Sequence, residues 1–193
     1  MKRTLVGLIL TLFIGVPALA QGPAILKPPK GSQLAIVVFE DLQCPMCKQT
    51  SPVIENAART YKIPLLRYDF PLPIHNWSFE AAVMARYFEK QSKELGASFR
   101  DYIFQHQTEI YPANLRGFAN RFAAEHNTSL PFVVDPQGTL AAAVNADRDL
   151  GNRVGIQHTP TVYLVSTKPN RPFLEVQKPK DELFQAIDAM KRN

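Results

Sequence analysis

Leu34-Ala35-Ile36-Val37-Val38-Phe39 is an unbroken apolar run rich in β-branched residues, and Cys44-Pro45-Met46-Cys47 follows shortly after it. Bounded by Gly31 on one side and Glu40-Asp41 on the other, the run reads as a central strand covered on both faces. Downstream, Val53, Ile54, Ala57, Ala58 and Tyr61 recur at helical spacing. A helix is therefore expected from Cys44 to about Thr60, with both sulfurs in its first turn and Pro45 where a missing N–H costs nothing. Pro52 inside this helix is expected to bend it.

Ile63 to Phe70 reads as a second strand with Pro64 at its start, which completes a strand, helix, strand unit with parallel neighbours. From about 78 to 150 the pattern is helical, with segments beginning at Ser78 and lying near 98–109, 114–126 and 136–150. Asp135-Pro136 is expected to cap and open the last of these. Thr161–Val165 and Pro172–Val176 read as an antiparallel hairpin, and Leu183, Phe184, Ile187 and Met190 as one face of a closing helix. The sum is an α/β domain over 34–193: a four-stranded sheet flanked by helices, with a helical insertion between its βαβ and ββα halves.

The chain begins with Lys2 and Arg3, an apolar run from Leu5 to Val16, then Pro17 and Ala18-Leu19-Ala20. That is the order of a secretory signal peptide over 1–20, and the run is short for an anchor spanning a bilayer. Residues 21–33, rich in proline, read as an extended leader before the fold. Cleavage after Ala20 lowers the formal charge from +5 to +3, an excess too mild to imply a nucleic-acid partner. The expected address is the periplasm or another extracytoplasmic space.

In an oxidising compartment two cysteines usually staple distant segments, but here they are three residues apart, where loop closure gains little. A helix N-terminus favours thiolate over thiol, so Cys44 is expected to be the exposed nucleophile and Cys47 the resolving thiol. A zinc or copper site would need partners among His75, His106, His126 and His158, and no second closely spaced ligand pair exists, so no metal is expected. Trp77, Phe79, Tyr87 and Phe88 read as core, Glu80 as a first-turn carboxylate, and His75 as a cap or loop contact.

Cys44-Pro45-Met46-Cys47-Lys48 with its preceding strand and following Pro52-Val53-Ile54 resembles the active-site segment of the thioredoxin superfamily. Gln157-His158-Thr159-Pro160-Thr161, just before a strand, looks like that superfamily's cis-proline loop. The helical insertion and Phe70-Pro71-Leu72-Pro73-Ile74-His75 ahead of it are similar to the DsbA-like branch. The resemblance implies a thioredoxin fold and a thiol–disulfide oxidoreductase that needs no cofactor beyond its own Cys44–Cys47 disulfide. It implies that Pro160 is cis and that His158, Thr159 and Pro160 contact substrate, with protonated His158 supporting the Cys44 thiolate. The implied partners are cysteine-containing exported polypeptides and a membrane quinone-linked reoxidising protein of the DsbB or VKOR-like kind. A monomer is expected.

Two positions depart from that pattern. The buried acid that many relatives carry six positions before the first cysteine is Val38, which leaves Glu40, Asp41 or water to exchange the Cys47 proton. Met46 stands where strongly oxidising relatives carry histidine, so a milder oxidant is expected. Reduction or isomerisation of disulfides, and a non-catalytic role as chaperone-like adaptor or copper carrier, are the alternatives.

Overall fold

The computed structural model describes residues 22–192, so the export signal expected over 1–20 lies outside the described residues. After a 3-10 turn at Pro23–Ile25, ten strands and α-helices follow one another among the described residues: β1 (Leu34–Glu40), α1 (Pro45–Tyr61), β2 (Leu65–Asp69), α2 (Ser78–Gln91), α3 (Lys93–Gln105), α4 (Leu115–Glu125), α5 (Thr139–Val154), β3 (Thr161–Ser166), β4 (Phe173–Glu175) and α6 (Pro179–Arg192). The strands form one sheet in the order β2-β1-β3-β4. β1 runs parallel to β2, with Val38 opposite Arg67, and antiparallel to β3, with Val38 opposite Val162. Among the described residues, no helix is long and apolar enough to cross a membrane.

Every residue of β1 is buried, as a strand with helices on both faces requires. Leu34, Ile36 and Val38 face Ile54 and Ala57 of α1 and Leu183, Ile187 and Met190 of α6. Ala35, Val37 and Phe39 face the other way, with Phe70, Val154 and Ile156. A third core fills the insertion, where the rings of Phe88, Phe99 and Phe122 lie with centroids 4.7 to 5.1 Å apart. Leu42, Cys44, Cys47 and Trp77 belong to this third core, so the cysteine pair sits at the seam between sheet and insertion.

Charge crosses the same seam. Arg67 of β2 donates to both oxygens of Glu40 at 2.8 and 2.7 Å and also pairs with Glu55 of α1. Arg100 of α3 grips Asp69, which Arg86 of α2 also reaches at 2.6 Å, and Arg86 in turn pairs with Asp147 of α5. Buried charges persist where each has a partner.

Three expectations need correction. The leader expected over 21–33 is, over its described residues 22–33, docked rather than merely extended: Leu26 is buried in the core beneath β1, and the Gly22 N–H donates to the Arg153 carbonyl at 3.1 Å. The second inserted helix starts at Lys93 instead of near 98, because the Ser92 hydroxyl accepts the Leu95 N–H at 3.0 Å and caps it. Pro136 does not open α5. The helix begins at Thr139 after Gly138 in the left-handed region, and Asp135 caps it from upstream by accepting the Ala141 N–H at 2.8 Å.

Candidate active site

Cys44 is the N-cap of α1 and Pro45 its first residue, so the helix dipole and its free N–H groups point at the first sulfur. Across the chain, the Thr159–Pro160 peptide bond is cis, and the Thr159 carbonyl accepts from Cys44 Sγ at 3.2 Å. Both cysteines are free thiols. The expectation of an exposed nucleophile is revised: Cys44 is only 6% exposed, roofed by Thr159 and packed with Leu42 and Trp77, while Cys47 is 2% exposed.

The two sulfurs are far apart in acidity. Hydrogen bonding from Cys47 is the main cause that lowers the Cys44 thiol to about 5, against burial and with help from Thr159 and the Cys47 and Met46 amides. The Thr159 hydroxyl is buried with no other partner, so a thiolate at Cys44 gives it an acceptor. Burial pushes the Cys47 thiol up strongly, and the Cys44 and Glu40 charges add to this, while the Asp41 N–H, 3.4 Å from Cys47 Sγ, pulls the other way.

Val38 is fully buried and apolar, and the two acids beside Cys47 are already engaged. Glu40 is held by Arg67. Asp41 accepts from Gln43 N–H at 2.7 Å and Leu72 N–H at 2.7 Å, and lies 2.6 Å from His75 Nδ1. One contributor has no signal in the sequence: Gln107, in the turn after α3, donates its side-chain N–H to the carbonyls of Leu42 at 2.8 Å and Cys44 at 3.1 Å. A lone glutamine in a turn has no periodicity or motif to mark it.

Beside the pair, Met46, Thr50, His158, Pro160, Gln177 and Lys178 line a groove of about 410 Å³. Met46 is 49% exposed and carries no charge. His158 stands on the groove wall, exposed, with its Nδ1 3.4 Å from Thr161 Oγ1, and the groups that set the acidity of Cys44 are Cys47, Thr159 and Met46. His106 meets Glu109, and His126 meets the Phe122 carbonyl and stacks on its ring. Among the described residues, no group of three or more His, Cys, Asp or Glu is placed to hold a metal ion. Trp77 and Phe88 are core, as their spacing predicts, with Tyr87 half-buried beside them.

A dithiol at the head of a helix, facing a cis-proline loop on a sheet in the order β2-β1-β3-β4, defines a protein with the thiol–disulfide oxidoreductase fold. The chain belongs to the thioredoxin family, whose model matches residues 30–189. With the helical insertion, its fold is that of DsbA-like proteins. DsbA2 of Pseudomonas aeruginosa superposes with a TM-score of 0.61 at 20% identity, covering 91% of this chain and 96% of that one. A periplasmic thioredoxin-like protein from Salmonella enterica serovar Typhimurium superposes at 0.57 with 22% identity, covering 75% and 80%. In sequence, the chain is 24% identical over 151 residues to the Na(+)/H(+) antiporter NhaA 3 of Salinispora tropica, 76% of this chain and 22% of the antiporter. It thus spans about a fifth of the length of the curated relatives it matches.

Proposed function

We propose that this protein is an exported thiol–disulfide oxidoreductase that donates its Cys44–Cys47 disulfide to cysteines of exported polypeptides. The observation that carries the reading is the split between the sulfurs: Cys44 lowered to about 5, Cys47 raised. A substrate thiolate attacks Cys44 Sγ; the bond to Cys47 breaks, and Cys47 leaves and takes up a proton. A second substrate thiolate then attacks the substrate sulfur of the mixed disulfide, and Cys44 departs as a stable thiolate. Two electrons pass to the pair. Because a stable leaving thiolate favours the reduced protein, the disulfide is oxidising. That asymmetry favours donation over reduction or isomerisation.

No metal or organic cofactor takes part in this scheme. A membrane quinone-linked partner of the DsbB or VKOR-like kind restores the disulfide, and the protein works as a monomer in the periplasm or an equivalent space. Met46 brings no positive charge to the thiolate, so the protein is a milder oxidant than relatives with histidine there.

The test is the reduction potential of the Cys44–Cys47 pair in glutathione buffers. A potential near or above that of glutathione supports donation; one well below it makes the protein a reductase or the pair an inert disulfide. In parallel, Cys47→Ala is expected to trap polypeptides on Cys44.

A further inference from the structure

Asp41 touches both cysteines with its backbone. Its N–H lies 3.4 Å from Cys47 Sγ, and its carbonyl accepts the Cys44 N–H at 3.0 Å. Where these groups point is fixed by the side chain of the same residue, which is fully buried and takes up three donors. Two are backbone amides, of Gln43 and Leu72. The third is the ring of His75, at 2.6 Å and only slightly exposed. The His75 N–H also donates to the Leu72 carbonyl at 3.0 Å, so the ring and one of the two amides are held in a single turn. A buried carboxylate that loses one of three donors must be resolvated or reorient, and its own backbone moves with it.

We infer that His75 is a positioning residue for the resolving thiol, acting through Asp41. The inference rests on the dithiol reading above. When Cys44 is joined to a partner sulfur, the Cys47 thiol gives its proton to water and the thiolate attacks Cys44 Sγ. The partner leaves as thiolate, carrying both electrons. Negative charge on Cys47 exists in that step and in its reverse, when Cys47 is expelled from Cys44, but not during capture, and the Asp41 N–H is the backbone donor that meets it. Cys44 is supported from elsewhere, by Cys47, Thr159 and the first-turn amides. His75 therefore governs resolution and leaves capture alone.

The experiment uses oxidised glutathione as the probe. Reduced protein captures one glutathione on Cys44, releasing the other, and resolution by Cys47 then expels the captured one; acid quenching and intact-mass measurement time both events. In His75→Leu the adduct is expected to accumulate, with resolution slowed roughly tenfold, the scale of one hydrogen bond to a charged group, and capture within about twofold of wild type. His75→Asn, whose amide N–H takes the place of Nδ1, is expected to restore resolution. Should the leucine variant not fold, His75→Gln, with its donor one methylene too far, takes its place with the same expectation. Unchanged resolution, equal slowing of both steps, or no recovery in His75→Asn overturns the assignment. A wild-type protein that never captures glutathione, or captures it and never resolves it, refutes the dithiol reading itself.

Discussion

Arg100 and Asp69 meet across the boundary between the helical insertion and the sheet, with Nη1 2.5 Å from Oδ1, Nη2 3.1 Å from Oδ2, and both side chains out of water. Two charges buried this deeply offset their desolvation only through geometry this close, and removing one leaves the other stranded. Asp69→Ala is expected to cost about 3–5 kcal/mol, read from the midpoint of urea unfolding. Burial alone raises the Asp69 carboxyl, but the charges of Arg100 and Arg86 outweigh it and hold the group below the usual range. A depressed carboxyl contributes stability above its unfolded pKa of about 4 and loses it as pH falls further, so wild type is expected to weaken there more steeply than the alanine variant.

Alkylation of Cys44 by iodoacetamide is expected to follow a midpoint near pH 5, with Cys47 unreactive through neutral pH. Thr159→Val removes the hydroxyl that supports the sulfur and keeps the shape of the side chain. Its midpoint is expected to rise, and an unchanged midpoint excludes that support.

The same titration sets how stability divides between the redox states. Because the folded Cys44 pKa is depressed, the reduced protein gains a contribution that is fully present above the unfolded thiol value of about 8.5 and is lost as pH falls through about 5. Reduced protein is expected to unfold at higher urea than oxidised protein near pH 7, and the gap is expected to shrink toward pH 4. A gap that widens on acidification contradicts the assignment.

Gln107→Ala removes the clamp on Leu42 and Cys44 and leaves two carbonyls without that donor. The expected cost is about 1–3 kcal/mol. Amide exchange at the start of α1 is expected to quicken, which separates this loosening from a general loss of stability.

A methyl group at Gly151 would lie 2.5 Å from the ring of Phe70 and 3.3 Å from that of Phe39. Helix α5 reaches this end of the sheet only because that side chain is absent. Gly151→Ala is expected to destabilise by about 1–3 kcal/mol despite its better helix propensity, measured by thermal or urea unfolding.

The sheet and its helices were readable because their signals are local. The apolar run of β1, the spacing of Val53, Ile54 and Ala57, and the turn between Val165 and Pro172 each lie within a few residues. Cys44, Cys47 and the loop of Thr159 and Pro160 announce themselves as motifs. What escaped was set by contacts between distant stretches. Gln107 reaches back 63 residues to Cys44, and Asp41 reaches forward 34 to His75. The docking of Leu26 and the covering of Cys44 depend on surfaces that exist only after the chain has closed on itself. Asp135 misled for a local reason: an aspartate before proline matches a helix start, yet its carboxylate caps from a turn upstream.

The contact between Cys44 and Thr159 spans 115 positions of the chain, and β1 reaches β3 only after the whole insertion has been folded back. Loop closure over such a distance comes late, after the local helices and the β1–β2 unit. Until then Cys44 has only the support of its own helix, and the hydrogen bond that Thr159 gives it arrives when β3 is laid down beside β1. Closure of the sheet thus finishes the tuning of Cys44, and an unfinished copy lacks the share of that tuning which comes from the far end of the chain.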